Sequence, residues 1–183
     1  SEITETFADA SQYELGSVLP KLYGGFGTTF KAYGFDLSAQ FSFQLGGRYY
    51  DGTYQALMHT SSRIGTAWHK DVLDSWSETN KDSDIPRLDG DTSVGQTAVS
   101  NYLISSNYLS VNNITLGYTF PESVTSYLKI SGLRIYVSGD NLAVKSARKG
   151  VDPRYSMGLG SLTSGSGLNS GSYSAMRTIT GGV

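Results

Sequence analysis

Along residues 35–45 apolar and polar side chains alternate without a slip. Phe35, Leu37, Ala39, Phe41, Phe43 and Leu45 interleave with Asp36, Ser38, Gln40, Ser42 and Gln44. Successive strand side chains point to opposite faces, so the run predicts a β-strand with one apolar and one polar face. At about 3.3 Å per residue it is long enough, when tilted, to cross an apolar band roughly 25 Å tall. Three weaker segments repeat the theme. Ile114, Leu116, Tyr118 and Phe120 alternate with Thr115, Gly117 and Thr119, and Leu133, Ile135 and Val137 with Arg134, Tyr136 and Ser138. Tyr23 to Lys31 is a strand diluted by glycine, with Phe26 and Phe30 on one side, and Met176 to Val183 is a short final one.

The connections between these strands alternate in length. Ala32-Tyr33-Gly34 makes a tight turn, whereas Asp51 to Asn107 is far longer than a hairpin loop. Pro121 to Gly132 is a modest link, predicted to hold one or two helical turns opened by Pro121 and stopped by Gly132. A long Gly/Ser-rich loop, Ala143 to Ser172, follows. Short turns on one rim and long loops on the other are the habit of bacterial outer-membrane barrels, whose short side faces the periplasm. Tyr33, Phe35 and Phe120 would then form one interfacial girdle, and Tyr23, Tyr49, Tyr50 and Tyr108 the other.

Composition narrows the classes. Among 183 residues there are 22 Gly and 13 Tyr with 38% hydrophobic residues, which suits many short strands better than packed helices. A net charge of -2 offers no basic stripe for a phosphate backbone, so nucleic acid is not an expected partner. The absence of cysteine removes both disulfides and thiolate metal sites. No run of about 18 apolar residues exists, which excludes a membrane-crossing helix but not barrel strands. Ser1 to Ala10 lack the basic and apolar pattern of a signal peptide.

Candidate chemistry is sparse. Neither a G-x-S-x-G elbow nor an H-E-x-x-H pair is present, so no catalytic residue is nominated. His59 and His69, ten residues apart, do not share a helix face, and no metal site or cofactor is expected. Asp82, Asp84, Asp89 and Asp91 lack the EF-hand spacing and read as a solvated acidic loop. Gly158-Leu-Gly160 lies in a Ser/Gly tract and reads as loop. Trp68, Val72 and Trp76 fall at helical spacing, predicting a helix over 67–76 packed into its own loop, with one tryptophan free to meet cargo or a partner. Tyr50, Trp68 and Trp76 are therefore the loop candidates for such contact. Arg134, Tyr136, Ser138 and Asp140 share the polar face of their strand and are expected to border an enclosed lumen.

Several runs in order resemble the late barrel strands of SusC/RagA-type TonB-dependent transporters. They are LPKLYGGFGTTF at 19–30, GFDLSAQFSFQLGG at 34–47, WHKD at 68–71 with IPR at 85–87, and YLSVNNITLGYTFP at 108–121. LRIYVSGDNL at 133–142, KGVDP at 149–153 and RTITGGV at 177–183 complete the series. The resemblance implies an all-β fold: the last five or so strands of an antiparallel transmembrane barrel of about 22 strands around a plugged lumen. It implies that 1–183 is the C-terminal part of that barrel, with the plug domain and earlier strands lying outside it. It further implies active import of glycan or peptide fragments, a SusD-like surface lipoprotein over the mouth, and energy from TonB through the plug.

Five strands cannot close so wide a barrel, and unpaired edge groups in lipid cost several kcal/mol each. The remaining strands of the same barrel and outer-membrane lipid are accordingly expected neighbours. Alternation by itself equally admits a soluble β-sandwich, such as a carbohydrate-binding module, in which a second sheet covers Phe41 and Phe43. A hydrolase ranks last, for want of a paired acid and base.

Overall fold

A computed structural model describes residues 13–58, 65, 67–87, 100–148, 152–155 and 174–183. These fall into two units, one built on Arg48–Ile104 and the other on Leu19–Gly47, Ser105–Tyr155 and Tyr173–Val183.

The second unit is an antiparallel meander. Strands β1 (Leu22–Ala32), β2 (Phe35–Leu45), β5 (Tyr108–Thr119), β6 (Arg134–Ser146) and β7 (Thr178–Gly182) lie side by side in that order. The β1–β2 hairpin pairs Ala32 with Phe35 and Leu22 with Leu45. Its turn needs left-handed backbone at both central residues, which Tyr33 (φ 51°) and Gly34 (φ 84°) supply. Such turns match the right-handed twist of the flanking strands. The Gly34 carbonyl then accepts from the Thr119 N–H at 2.7 Å, tying the turn to the end of β5.

Register sorts the side chains by face. Phe26 sits opposite Phe41, Phe30 opposite Leu37, Leu37 opposite Leu116, and Leu116 opposite Val137. One face is therefore apolar across the sheet. The phenyl rings of Phe26 and Phe41 stack at 4.9 Å and 15°, and Phe43 lies over Gly24, where a Cβ would meet its ring at 3.3 Å. These are neighbours within one layer. No second sheet of this unit lies over them among the described residues, and Phe26, Phe30 and Phe35 remain 56%, 63% and 52% exposed. In water each such ring would forgo roughly 1–2 kcal/mol of burial, and so continuous a patch is foreign to soluble surfaces.

Two irregularities extend the strands beyond the bounds that alternation predicts. Asn112 is an extra residue in β5, so the apolar positions change parity from Ile114 to Val111 and Leu109. In β6 the ladder skips Asn141, at φ 51°, and Leu142, then resumes with Ala143 opposite Val111. Leu142 fills the space a side chain on Gly139 would need, since a Cβ there would stand 2.6 Å from it. Consequently β5 begins at Tyr108, and residues 143–146, expected in the loop, are strand. Bulges of this kind hide a strand from a period-two reading because they reset its phase.

Other expectations also change. The link between β5 and β6 does hold a helix, α2 (Glu122–Tyr127), with Pro121 at its N-cap. It stops earlier than Gly132: Lys129 turns left-handed at φ 55°, and the Ile130 N–H donates to the Thr125 carbonyl at 3.1 Å. On the short-turn rim Phe35 and Phe120 are linked through Tyr118 by ring contacts at 4.5 and 5.0 Å, while Tyr33, in the turn, is 98% exposed. The opposite girdle does not form as expected. Tyr23 and Tyr108 both flank Gln44 on the polar face, and Tyr49 is 1% exposed within the other unit.

The first unit contains short elements. β3 (Arg48–Tyr50) pairs with β4 (Leu103–Ser105), and α1 (Gly52–Met58) starts at Asp51, whose carboxylate accepts from the Tyr54 N–H at 3.0 Å. The helix predicted over 67–76 is only a 3-10 turn, Lys70–Asp74. Ser75 ends it by adopting extended backbone and donating its hydroxyl to the Val72 carbonyl at 2.7 Å.

Gly117 is a position where a side chain would displace an ion pair that crosses the sheet. A Cβ there would come within 2.6 and 2.7 Å of the Asp36 carboxylate oxygens, because Arg134 of β6 reaches across β5 to Asp36 of β2 at this point. Gly117→Ala and Arg134→Ala in the full-length barrel are each expected to lower the midpoint of heat-induced unfolding, read from gel mobility. The double variant should lose no more than the worse single one, as for two changes acting on one interaction.

Candidate functional site

The polar face carries a hydrogen-bonded network. Because Asn113 pairs with Asp140 and Thr115 with Ser138, their side chains meet across the ladder. The Asn113 amide donates to the Asp140 carboxylate at 2.7 Å and to the Ser138 hydroxyl at 2.9 Å, and Thr115 donates to Asn113 at 3.0 Å. Arg134 is held by two bonds to Asp36, at 2.6 and 3.1 Å, and lies over the Tyr136 ring at 5.3 Å. Of the residues singled out on this strand, Arg134, Tyr136 and Asp140 thus share a face and take part in side-chain contacts there. Tyr136 also leans over β7, where only Gly182 leaves room, a Cβ there lying 2.7 Å from its ring.

A second cluster on this face went unnoticed in the sequence. Arg154 grips Asp152 with both forks, at 2.9 Å through Nε and 2.6 Å through Nη2, and its Nη1 donates to the Ser110 hydroxyl at 2.9 Å. Asp152 is 8% exposed, Ser110 is fully buried, and Pro153 is among the fully buried residues. Asn112, the bulge residue, completes the cluster: its amide oxygen accepts from Ser42 at 3.1 Å. The segment after β6 is thereby strapped to β5. An Asp-Pro-Arg tripeptide has the residues for such a clamp, but only the fold reveals that a bulge and a buried serine receive it.

At the far end of β2, Gln44 donates to the Ser106 hydroxyl at 3.0 Å, and Ser106 in turn donates to the Gly46 carbonyl at 3.0 Å. Ser106 is wholly buried and Gln44 nearly so. Asp36, Ser42 and Gln44 of the alternating run thus bond within the sheet, whereas a sandwich with a solvated outer face would leave them to bulk solvent.

Within the other unit, the loop candidates behave differently from one another. Tyr50 packs edge-on against Tyr102 at 6.1 Å, and Tyr54 contacts both Tyr102 and His69. Burial pushes the Tyr102 phenol pKa up. Tyr54 donates to Asp71 at 2.8 Å, and His69 caps the 3-10 turn through Nδ1, accepting from the Asp71 N–H at 3.2 Å. Tyr50 and His69 thus belong to the packing of this unit. Trp76 is half-buried, its backbone N–H donating to the Ile85 carbonyl at 2.8 Å, while Trp68 is 49% exposed and Leu73 91%. Asp82 and Asp84 are exposed. His59, Asp89, Asp91, Gly158 and Gly160 lie outside the described residues.

No family model matches the chain. Curated relatives do. The chain is 31% identical over 173 residues to TonB-dependent receptor P26 of Formosa agariphila, covering 92% of this chain and 17% of the relative. It is 30% identical over 174 residues to TonB-dependent receptor P3 of the same organism, covering 92% and 16%. Thus it spans about one sixth of the length of these relatives. Among solved structures, it superposes on the RagAB peptide importer in its open-open state with a TM-score of 0.71 and 24% identity, covering 94% of this chain and 18% of that one. The RagAB peptide transporter gives a TM-score of 0.62 at 26% identity, covering 77% and 16%. The meander, its two dissimilar faces and these likenesses agree: the strands are a stretch of outer-membrane β-barrel wall, and the chain belongs to the SusC/RagA-type TonB-dependent transporters.

Proposed function

We propose that the chain forms the C-terminal wall of an active importer, with its plug domain and remaining strands elsewhere in the same protein. The observation that carries this reading is the sheet with one uncovered apolar face and one hydrogen-bonded polar face. Water does not suit the apolar face, whereas acyl chains do, and a hydrated, plugged lumen suits the polar one. Arg134, Tyr136 and Asp140 then border the lumen. Their role is to hydrogen-bond the plug and hold a polar, hydrated wall.

The cargo is peptide or glycan fragments, brought through the plug at the expense of energy relayed by TonB. Peptide is favoured because the solved neighbours are a peptide transporter and a peptide importer. The long connection between β2 and β5 lies on the extracellular side, under a SusD-like lipoprotein. There Trp68, half exposed, is the contact to cargo or lid, with Trp76 and Tyr50 supporting its loop. A soluble carbohydrate-binding sandwich finds no support in a sheet over whose apolar side no second layer of its own unit lies among the described residues.

Uptake of a labelled peptide mixture by cells carrying the full-length transporter is expected to cease when TonB is deleted, while oligosaccharide uptake stays at background. Import unaffected by that deletion would overturn the active-transport reading. Trp68→Ala should weaken lipoprotein binding or uptake several-fold, with Tyr50→Ala instead lowering stability. For the strap, Arg154→Ala leaves a buried carboxylate unpaired, a loss of roughly 3 kcal/mol. Amide exchange at residues 152 and 154 should then quicken by on the order of 100-fold. Adding Asp152→Asn should recover part of the protection.

A further inference from the structure

The link between β5 and β6 exposes more apolar surface than a short turn needs. Val124, Tyr127, Leu128 and Ile130 are 39%, 88%, 50% and 41% exposed. Val124, Tyr127 and Leu128 stand three and four residues apart, which places them on one side of α2, while Glu122 and Ser126 lie on another. Thr125, the one buried residue of the helix, turns inward and donates its hydroxyl to the Glu122 carbonyl. Lys129, exposed and left-handed, projects from the same turn.

This patch follows directly in the chain on the aromatic end of the sheet's apolar face. The ring chain Phe35–Tyr118–Phe120 runs along the apolar face to the first residue before Pro121. Beside it a shallow groove of about 270 Å³, lined by Phe35, Leu116, Tyr118, Ile135 and Val137, opens on the same face. Lipid meeting that face reaches the end of β5, where Pro121 opens the link. We propose that Pro121–Gly132 is an interfacial lipid anchor: Val124, Tyr127, Leu128 and Ile130 sit at the boundary of acyl chains and headgroups of the leaflet on the short-turn side, with Lys129 among the phosphates. Apolar side chains on a short amphipathic element bind this way, and a neighbouring lysine reaches the headgroups with its stem in the apolar layer. The inference rests on the placement of the sheet's apolar face in lipid.

The test uses the full-length transporter in phosphatidylethanolamine/phosphatidylglycerol vesicles, with a nitroxide attached in turn to Leu37→Cys, Tyr127→Cys and Ser126→Cys. Collision of each label with oxygen, which enriches in lipid, is compared with that of a water-soluble nickel chelate. The oxygen-to-nickel ratio is expected to be highest at residue 37, intermediate at 127, and several-fold lower at 126. Equal ratios at 127 and 126 would overturn the anchor, as would a label at 127 shielded from both agents by protein, which would mean that the patch packs against the plug or another protein. A residue 37 label open to nickel would instead sink the lipid placement of the sheet. Replacing the headgroup phosphate charge with a neutral glycolipid should shift the 127 ratio toward the aqueous value.

Discussion

The two faces of the described sheet depend on the antiparallel backbone ladder. Its pairing fixes which side chains share a face, and a displacement of one residue would send Phe41 and Phe43 to the side now held by Ser42 and Gln44. In a bilayer the ladder has a second duty, since backbone N–H and C=O groups have no water to bond there. The described sheet has β1 and β7 at its edges, each paired on one side. On the proposed reading, other strands of the barrel pair with those edges.

Departures from a regular ladder are where polar chemistry collects. The bulge at Asn112 places two adjacent asparagines on the polar side: one receives Ser42, and the other binds Ser138 and Asp140. Gly117 makes the opposite departure by removing a side chain, which lets a guanidinium on β6 reach a carboxylate two strands away. The same device recurs at Gly182 beneath Tyr136. Glycine here serves less as a flexible joint than as a vacant place that a neighbouring strand fills.

Much of the sheet was legible in the sequence. The bounds of β2 follow from alternation alone, because Phe35 to Leu45 carries neither a bulge nor a glycine. β5 and β6 were read short because their phase changes at Asn112 and at Asn141–Leu142, and a local period cannot see past a phase change. The 67–76 segment misled for another reason: Trp68, Val72 and Trp76 have helical spacing, but Ser75 competes for the Val72 carbonyl and ends the turn. Among candidate residues, Arg134, Tyr136 and Asp140 could be placed on one face by parity. The clamp of Arg154 on Asp152 and Ser110 could not, since it joins residues 44 positions apart whose meeting depends on the path of the chain after β6.

The Tyr33–Gly34 turn has a consequence for how such a wall is assembled. Two residues separate β1 from β2, whereas about sixty separate β2 from β5, so closing the second pair sacrifices about 3 kcal/mol more chain entropy than closing the first. The hairpin is consequently the kinetic seed of this region, able to zip within microseconds from its own turn. Later strands then add to a template whose register has already been chosen.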